Sequence, residues 1–457
     1  VFYSLPIIRE GRHMIYVEKR VKKSAAQYWA AGILCLASWA ALGDGVVPKT
    51  PETDRKILFP DVEGYETLVL DLHTHSVFSD GHVWPTIRVA EAERDGLDGI
   101  AITEHLEWQP HIMDIPHPDR NRSFEEAVRA AQKLDLLVIP GIEITRNDQA
   151  GHMNAVFVKE ANELVQQRNS SKYLAEHQFA TEAEASGFAK AASAGLATGA
   201  HQIEVEGKAV WVPFPDKATY LTLVTYAFAA EQSAAEVLEL ANGQGAFTFW
   251  NHPNFSTPDA KIDPFHKQQV KAGMLHGVEI ANGSRFYENA LRLALKHNLA
   301  LIGTSDVHNL IDWDYSPEAG GHRPVTLAFA TEKSNDAAKE ALFAQRTVVW
   351  WQNTLIGRPP ELNALLQASL QVDESVWSGK TLKVTLLNRS DANFQLRNLS
   401  DHIIRRHGPI IEAAPNDKTV VEFELSERPS DFKVEFEVMN TLVAPGKPGR
   451  IEFDIQM

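Results

Sequence analysis

Six stretches of the 457-residue chain carry side chains that can give a lone pair to a metal ion. Residues 70–82 read LDLHTHSVFSDGH and hold His73, His75, Asp80 and His82. ITEH brings His105, GIEI brings Glu143, GHMN brings His152, NHP brings His252, and GTSDVH brings Asp306 and His308. Taken singly these are weak signals. An H-x-H occurs in many surface loops, and a lone histidine beside a strand is usually an ordinary structural residue. A glutamate inside the apolar GIEI is harder to dismiss, because a buried carboxylate needs a partner. Nine candidate ligands at strand ends or adjacent loops together point to a polynuclear metal site.

Donor chemistry narrows the metal. Cys35 is the only cysteine, so thiolate ligands are unavailable and any ion must bind through His, Asp and Glu. A mixed nitrogen and oxygen set suits two or three ions of zinc, manganese or iron, whereas a lone calcium site wants oxygen only. Residues i and i+2 of a strand face the same way, so His73 and His75, and likewise Asp306 and His308, can each converge on one centre.

Strands must position these groups. TLVLDLHTH, LDGIAITEH, LLVIPGIEIT, GAFTFWNHP, HGVEIANGS and LALIGTSDVH are short apolar runs with polar ends, the pattern of strands buried on both faces. Helical segments alternate with them. Pro85 suits a first helical turn and Gly96 a helix end, and Ser123 with Glu126 forms a capping-box pattern at the head of a second helical segment, SFEEAVRAAQKLD. Such alternation predicts a parallel α/β fold, barrel or open sheet, whose strand carboxyl ends form the active face. Between residues 161 and 244 the alternation gives way to Ala-rich sequence, read as an insertion that is either a lid or helices packed outside the barrel. From residue 358 to 457 apolar and polar residues alternate between turn residues, predicting a small antiparallel β-sandwich.

The set DLHTHSVFSDG, ITEH, GIEI, GHMN, NHP and GTSDVH, in this order, resembles the polymerase-and-histidinol-phosphatase (PHP) superfamily. TEHLEWQPH, DRNRSFEEA and HRPVTLAFA look like its secreted phosphodiesterase branch. The resemblance implies a distorted (β/α)7 barrel over residues 65–357 with three metal positions. His73, His75, Glu143 and Asp306 would hold the first. Glu143 would bridge to the second, with His152 and His252, and Asp80, His105 and His308 would hold the third. Some members carry a histidine near the Asp80 position, and His82 is close by; Asp80 is preferred because it completes SDG. The interval between His152 and His252 departs from the family by its length and leaves the roof of the pocket open to question.

Bridged cations would activate a water for attack on phosphorus, with Asp306 beside it to take the proton. A phosphate also invites a guanidinium, and Arg146, Arg122 and Arg323 are the candidates, each equally readable as a surface or ion-paired arginine. His111 and His322 are candidate proton donors or phosphate contacts, against a reading as loop histidines. Trp84, Trp108 and Trp250 border the motifs, and packing is their default reading.

Outside the barrel, KRVKKSAAQYWAAGILCLASWAALG has the basic head, apolar middle and small-residue end of a secretory signal over residues 1–43, with the true start read at Met14. Its apolar span is too short for a stable membrane anchor. Residues 44–64 read as a linker. The whole chain carries a net −16; without residues 1–43 it keeps 38 basic and 58 acidic side chains, a net −20. Such a surface disfavours long nucleic acid as a partner and is indifferent to a small phosphoester. The leading expectation is an exported phosphodiesterase of the periplasm or medium. A phosphomonoesterase of the histidinol-phosphatase type and a non-catalytic metal-binding protein are the alternatives. Oligomeric state is not specified by the sequence.

Overall fold

The computed structural model describes residues 56–165, 177–191, 199–205, 207–255, 261–428 and 431–455. The expected signal over residues 1–43, with Met14 and Cys35, and linker residues 44–55 lie outside these. Among the described residues no helix is long and apolar enough to cross a membrane.

Among the described residues thirteen strands precede the C-terminal sandwich: β1 (Glu66–Asp71), β2 (Gly99–Ile102), β3 (Leu137–Thr145), β4 (His152–Val156), β5 (His201–Val205), β6 (Lys208–Val212), β7 (Phe247–Trp250), β8 (Gly277–Asn282), β9 (Arg285–Phe286), β10 (Ala300–Thr304), β11 (Val325–Ala330), β12 (Thr347–Trp351) and β13 (Thr354–Gly357). The main sheet runs β10-β8-β7-β4-β3-β2-β1-β11-β12-β13, with β9 on β8. It is a distorted barrel. Beyond its strand ends, Asp306 N–H donates to His73 O at 2.9 Å and His75 N–H to Val307 O at 3.1 Å, tying the chain after β10 to the chain after β1. The interior core draws on strands all around it, with Leu68, Leu70, Ala101, Ile139, Val156, Phe247, Phe249, Ile302 and Ala328 packed together. A second layer, including Val69, Ile100 and Ile102, packs outward against Val89, Ala92 and Ala127 of the helices. Burial on both faces is why these strands read as unbroken apolar runs.

The sheet is mixed where the sequence predicts parallel. The pairs β1–β2, β2–β3, β7–β8 and β8–β10 are parallel, but β4 runs antiparallel to both β3 and β7, and β11 antiparallel to β1. Only six residues separate Thr145 from His152, far too few for a crossover helix, so the chain turns straight back.

Local signals fared unevenly. Pro85 opens its helix (Pro85–Arg94), and Gly96 follows it at φ +71°. The Ser123/Glu126 capping box does not form: the helix is Arg122–Ala131, so Ser123 already lies inside it, and Glu126 pairs with Arg122 instead. Residues 56–64, read as linker, are packed in part, with Ile57 and Val62 buried. The insertion has its own small core of Ile203, Val212, Phe214, Tyr220, Val224 and Phe228, built on the β5–β6 hairpin and the helix Lys217–Glu231. It stops short of residue 244, because Val237, Leu238 and Ala241 of the next helix pack into the barrel core.

The C-terminal part is the expected sandwich. Of strands β14 (Leu370–Ser378), β15 (Thr381–Asn388), β16 (Phe394–Asn398), β17 (Ile403–Arg405), β18 (Ile410–Ala413), β19 (Lys418–Glu424), β20 (Phe432–Val438), β21 (Thr441–Leu442) and β22 (Gly449–Ile455), all but β21 form two four-stranded antiparallel sheets, β14-β15-β19-β17 and β18-β16-β20-β22. Strict alternation of buried and exposed residues along β22 shows why period 2 was legible. Strand β21 leaves the sandwich to pair with β13, and the Asn353 side-chain amide donates to Asn393 O and accepts from Asn393 N–H. The helix Pro359–Ser369, with Leu362, Leu365 and Leu366 buried, fills the seam.

Candidate metal centre

Six histidines and three carboxylates meet at one end of the barrel. His73 and His75 follow β1, His105 follows β2, Glu143 lies in β3, His252 follows β7, and Asp306 and His308 follow β10. His152 is the exception, at the start of its strand. Because β4 runs against β3 and β7, its first residue lies at the face where theirs end; Thr145 and His152 are register partners. Asp80 reaches the same place through a tight loop. Gly81 N–H donates to Ser76 O, and a Cβ on Gly81 would stand 2.7 Å from the His75 carbonyl carbon, so only glycine follows Asp80 here.

The donors fall into overlapping groups: His73, His75 and Glu143; His105, Glu143 and His152; and His75, Asp80, His105 and His308. Within each, the candidate ligand atoms lie within 4.8 Å of one another. His73 Nε2 and His75 Nε2 are 3.0 Å apart, and each is 3.2 Å from Asp306 Oδ1. His152 Nδ1 and His252 Nε2 approach Glu143 Oε1 at 3.1 and 3.5 Å. Asp80 faces His105 Nε2 at 3.3 Å and His308 Nε2 at 3.1 Å. His82 turns away from this group to Asn309 Oδ1 at 2.7 Å.

Burial and neighbouring charge pull these groups apart. Burial lowers His75 to about 4, helped by the charges of His308 and His105. His73 and His105 are buried too, but the carboxylates Asp306, Glu279 and Glu143 around the first, and Glu143 and Asp80 around the second, drive both well above the ordinary value. Against the upward pull of burial, the histidines hold Glu143, Asp80 and Asp306 far below the usual carboxylate range. His152 Nε2 is nevertheless buried with no hydrogen-bond partner, and Asp80 Oδ1 and Glu143 Oε2 make no well-aligned hydrogen bond although His105 Nε2 and Nδ1 lie 3.3 and 2.6 Å from them. Buried lone pairs that converge with too few protons between them fit divalent cations, and the all nitrogen-and-oxygen set fits zinc, manganese or iron.

Several supporting residues escaped the sequence reading. Glu279, fully buried in β8, takes His73 Nδ1–H at 2.8 Å and His252 N–H at 2.6 Å, which fixes the His73 ring so that Nε2 points inward. Its local sequence GVEI repeats the GIEI pattern of Glu143, so the signal was there. Asn251 donates to Glu143 Oε1 at 2.8 Å, and Asn282 to Glu279 Oε2 at 2.9 Å and Asp306 Oδ2 at 3.2 Å. Arg88 binds the carbonyls of His75 and Val307, pinning the two main motif loops together. Asp306 itself sits at φ +51°, a left-handed conformation that aspartate tolerates and that functional loops often store.

The arginine expectations change. Arg323 is buried between Asp71 and Asp95, at 3.2 and 2.7 Å, and is a structural ion-pair residue. Arg122 is held by Glu125 and Glu126 of its own helix. Arg146 is bound to Glu107 and to the carbonyls of Thr145, Ala229 and Gln232, clamping the end of the insertion's long helix. All three forks are committed within the protein. His322 stacks on Trp350 at 3.4 Å between centroids and accepts from Asn353 N–H, and burial lowers it to about 4; it belongs to the barrel–sandwich seam. His111 lies outside the ligand groups, 6.3 Å from the His82 ring. Trp250 is buried and stacked on His266, Trp84 packs on Phe78, and Trp108 borders His105 at 5.4 Å. Arg285 fits better than any of the three arginines. It pairs across β8–β9 with Asn282, so both side chains project to the face where Asn282 meets Asp306. It is exposed, and its side chain also hydrogen-bonds the Tyr287 hydroxyl.

An α/β barrel with a histidine–carboxylate centre at its strand ends defines a metallohydrolase class. The PHP domain model matches residues 71–194, and an Ig-like domain model matches residues 370–454. A two-domain protein of Bacteroides vulgatus containing a predicted PHP-like metal-dependent phosphoesterase is 32% identical over 88% of this chain and 99% of its own, with a TM-score of 0.69. The chain belongs to the PHP family of metal-dependent phosphoesterases. A Bifidobacterium adolescentis protein assigned as a metal-dependent phosphoesterase (21% identity, 52% and 87% coverage, TM-score 0.30) and an amidohydrolase of Chromobacterium violaceum (16%, 52% and 87%, TM-score 0.32) are more distant. Among curated proteins none matches.

Proposed function

We propose that this protein is an exported phosphoesterase that holds two or three divalent cations among His73, His75, Asp80, His105, Glu143, His152, His252, Asp306 and His308 and hydrolyses small phosphodiesters. The observation that carries the reading is the convergence of buried imidazoles and carboxylates into three overlapping groups whose candidate ligand atoms lie within 4.8 Å of one another. Cations bound there would supply Lewis acidity to the phosphoryl oxygens and make a water acidic enough to attack near neutral pH. The chain's residues do the rest. Glu143 belongs to two of the ligand groups, as a bridging carboxylate must. Asp306, kept ionised by His73, His75 and His308 despite burial and held by the Asn282 amide, takes the proton of the attacking water. Arg285 orients a non-bridging oxygen from the rim. His111, with Nε2 buried and unpaired, is the proton donor of this proposal for the departing alkoxide.

Export rests on the basic, then apolar, layout of residues 19–43. A secreted fraction whose chain begins near residue 41 supports it, and retention of residues 1–43 in the cytoplasm refutes it. Metal-reconstituted protein should prefer bis(p-nitrophenyl) phosphate over p-nitrophenyl phosphate. Preference for the monoester would move the assignment to a phosphomonoesterase, and inertness on both would favour the non-catalytic, metal-binding alternative.

A further inference from the structure

A phenylalanine stands beside the centre. Phe255 closes the turn that follows His252, its N–H donating to His252 O at 2.9 Å. Its ring contacts both His152 and His252, with centroids 4.8 and 5.5 Å away at interplanar angles of 55° and 82°. Yet 47% of the residue faces solvent. Single exposed apolar residues are common on protein surfaces and by themselves mean little. Position is what sets this one apart, because the ring flanks two histidines of the centre where a charged side chain would compete for the cations. Trp108, only partly buried, stands 5.4 Å from His105, whose ring is 5.7 Å from that of His152. The His105–His152 pair thus has an aromatic neighbour at each end.

We propose that Phe255 is a stacking wall for the alcohol portion of the substrate, so that the centre selects phosphoesters carrying a flat aromatic group close to phosphorus. The inference rests on the phosphoesterase reading for the position of the phosphoryl group. A ligand ring laid against Phe255 covers apolar surface that the turn leaves in water, and aromatic pairs prefer the offset and edge-on arrangements that a rim position allows. The wall is sequence-tolerant chemistry, since any planar ring can use it.

Binding of phenylphosphonate and methylphosphonate to metal-loaded protein, measured by calorimetry, separates the ring from the headgroup. The wild type should bind phenylphosphonate about tenfold more tightly. Phe255→Ala should remove that preference and leave methylphosphonate affinity within about twofold, while Phe255→Trp should retain it. Equal weakening of both ligands by Phe255→Ala would make the residue a mere support for His152 and His252 and overturn the proposal, as would an unchanged preference. Phosphoester hydrolysis by the same wild-type preparation is read separately. A phenyl preference lost in Phe255→Ala, with no ester hydrolysed, would keep the wall and sink the phosphoesterase reading. Hydrolysis without any phenyl preference would do the reverse.

Discussion

Two buried polar clusters lie within a few residues of each other along the same strands, and they are built on opposite principles. Around Arg323 the ion pairs close within the protein: Asp71 and Asp95 take two of its guanidinium nitrogens while Nε is left buried without a hydrogen bond, and Asp71 also accepts from Ser305 N–H and Oγ–H at 3.1 and 2.6 Å. At the strand ends above it, nine side chains converge with acceptors left over. The first cluster is held by ion pairs between protein groups. The second is complete only with cations. Charge alone does not make a binding site; buried charge that the chain leaves uncompensated does.

The comparison can be broken most sharply at Glu143. Glu143→Gln keeps the size of the side chain but removes a charge shared by two ligand groups, and hydrolysis should fall to background, at least about 10³-fold, with cations lost. In the ion-paired cluster the damage should be to folding. Arg323→Met leaves two buried carboxylates short of a partner, so stability should drop by about 3–5 kcal/mol in chemical denaturation, while the folded fraction keeps its metal content. Glu279→Gln lies between the two. It loosens the His73 ring without removing a proposed ligand, and metal affinity measured by competition with a chelator should weaken about 10–100-fold.

The seam with the sandwich offers a pH test. His322 is lowered to about 4 by burial, against an ordinary 6.5, and its Nε2 must stay unprotonated to accept from Asn353. The unfolded chain therefore binds a proton that the folded chain refuses as pH falls from about 6.5 towards 4, so this contribution to stability is full above that window and erodes through it. The slope approaches about 1.4 kcal/mol per pH unit in its steepest part. His322→Gln should flatten that part of the wild-type stability profile. Smallest of all, Arg122→Ala should change stability by less than about 0.5 kcal/mol, because it breaks only two ion pairs of a solvent-exposed arginine within its own helix.

The sequence exposed what its local pattern encodes. Histidines at the ends of apolar runs, GIEI, SDG and the period-2 strands from residue 370 onward could be read because the next few residues fix where each side chain goes. Chain reversal at β4 could not, since the apolar run GHMNAV looks the same in either direction; hence His152 was found but its place at a strand start was not. Glu279 was missed although GVEI is a near copy of GIEI and His276 stands three residues before it, so its signal was present in the sequence. The arginines show the deeper limit. Whether Arg323 is free for a phosphate depends on Asp71 and Asp95, more than 220 positions away, and nothing around it in sequence reports that. The Ser123 capping pattern failed for a local reason, with Arg122 taking Glu126 and the helix starting two residues early.

Metal content tests the central claim most directly. Wild-type protein reconstituted with zinc, manganese or iron and freed of loose ions should carry two or three equivalents by plasma mass spectrometry, and Glu143→Gln about one or none. Less than one equivalent in the wild type, with the fold intact by circular dichroism, would contradict a centre completed by cations.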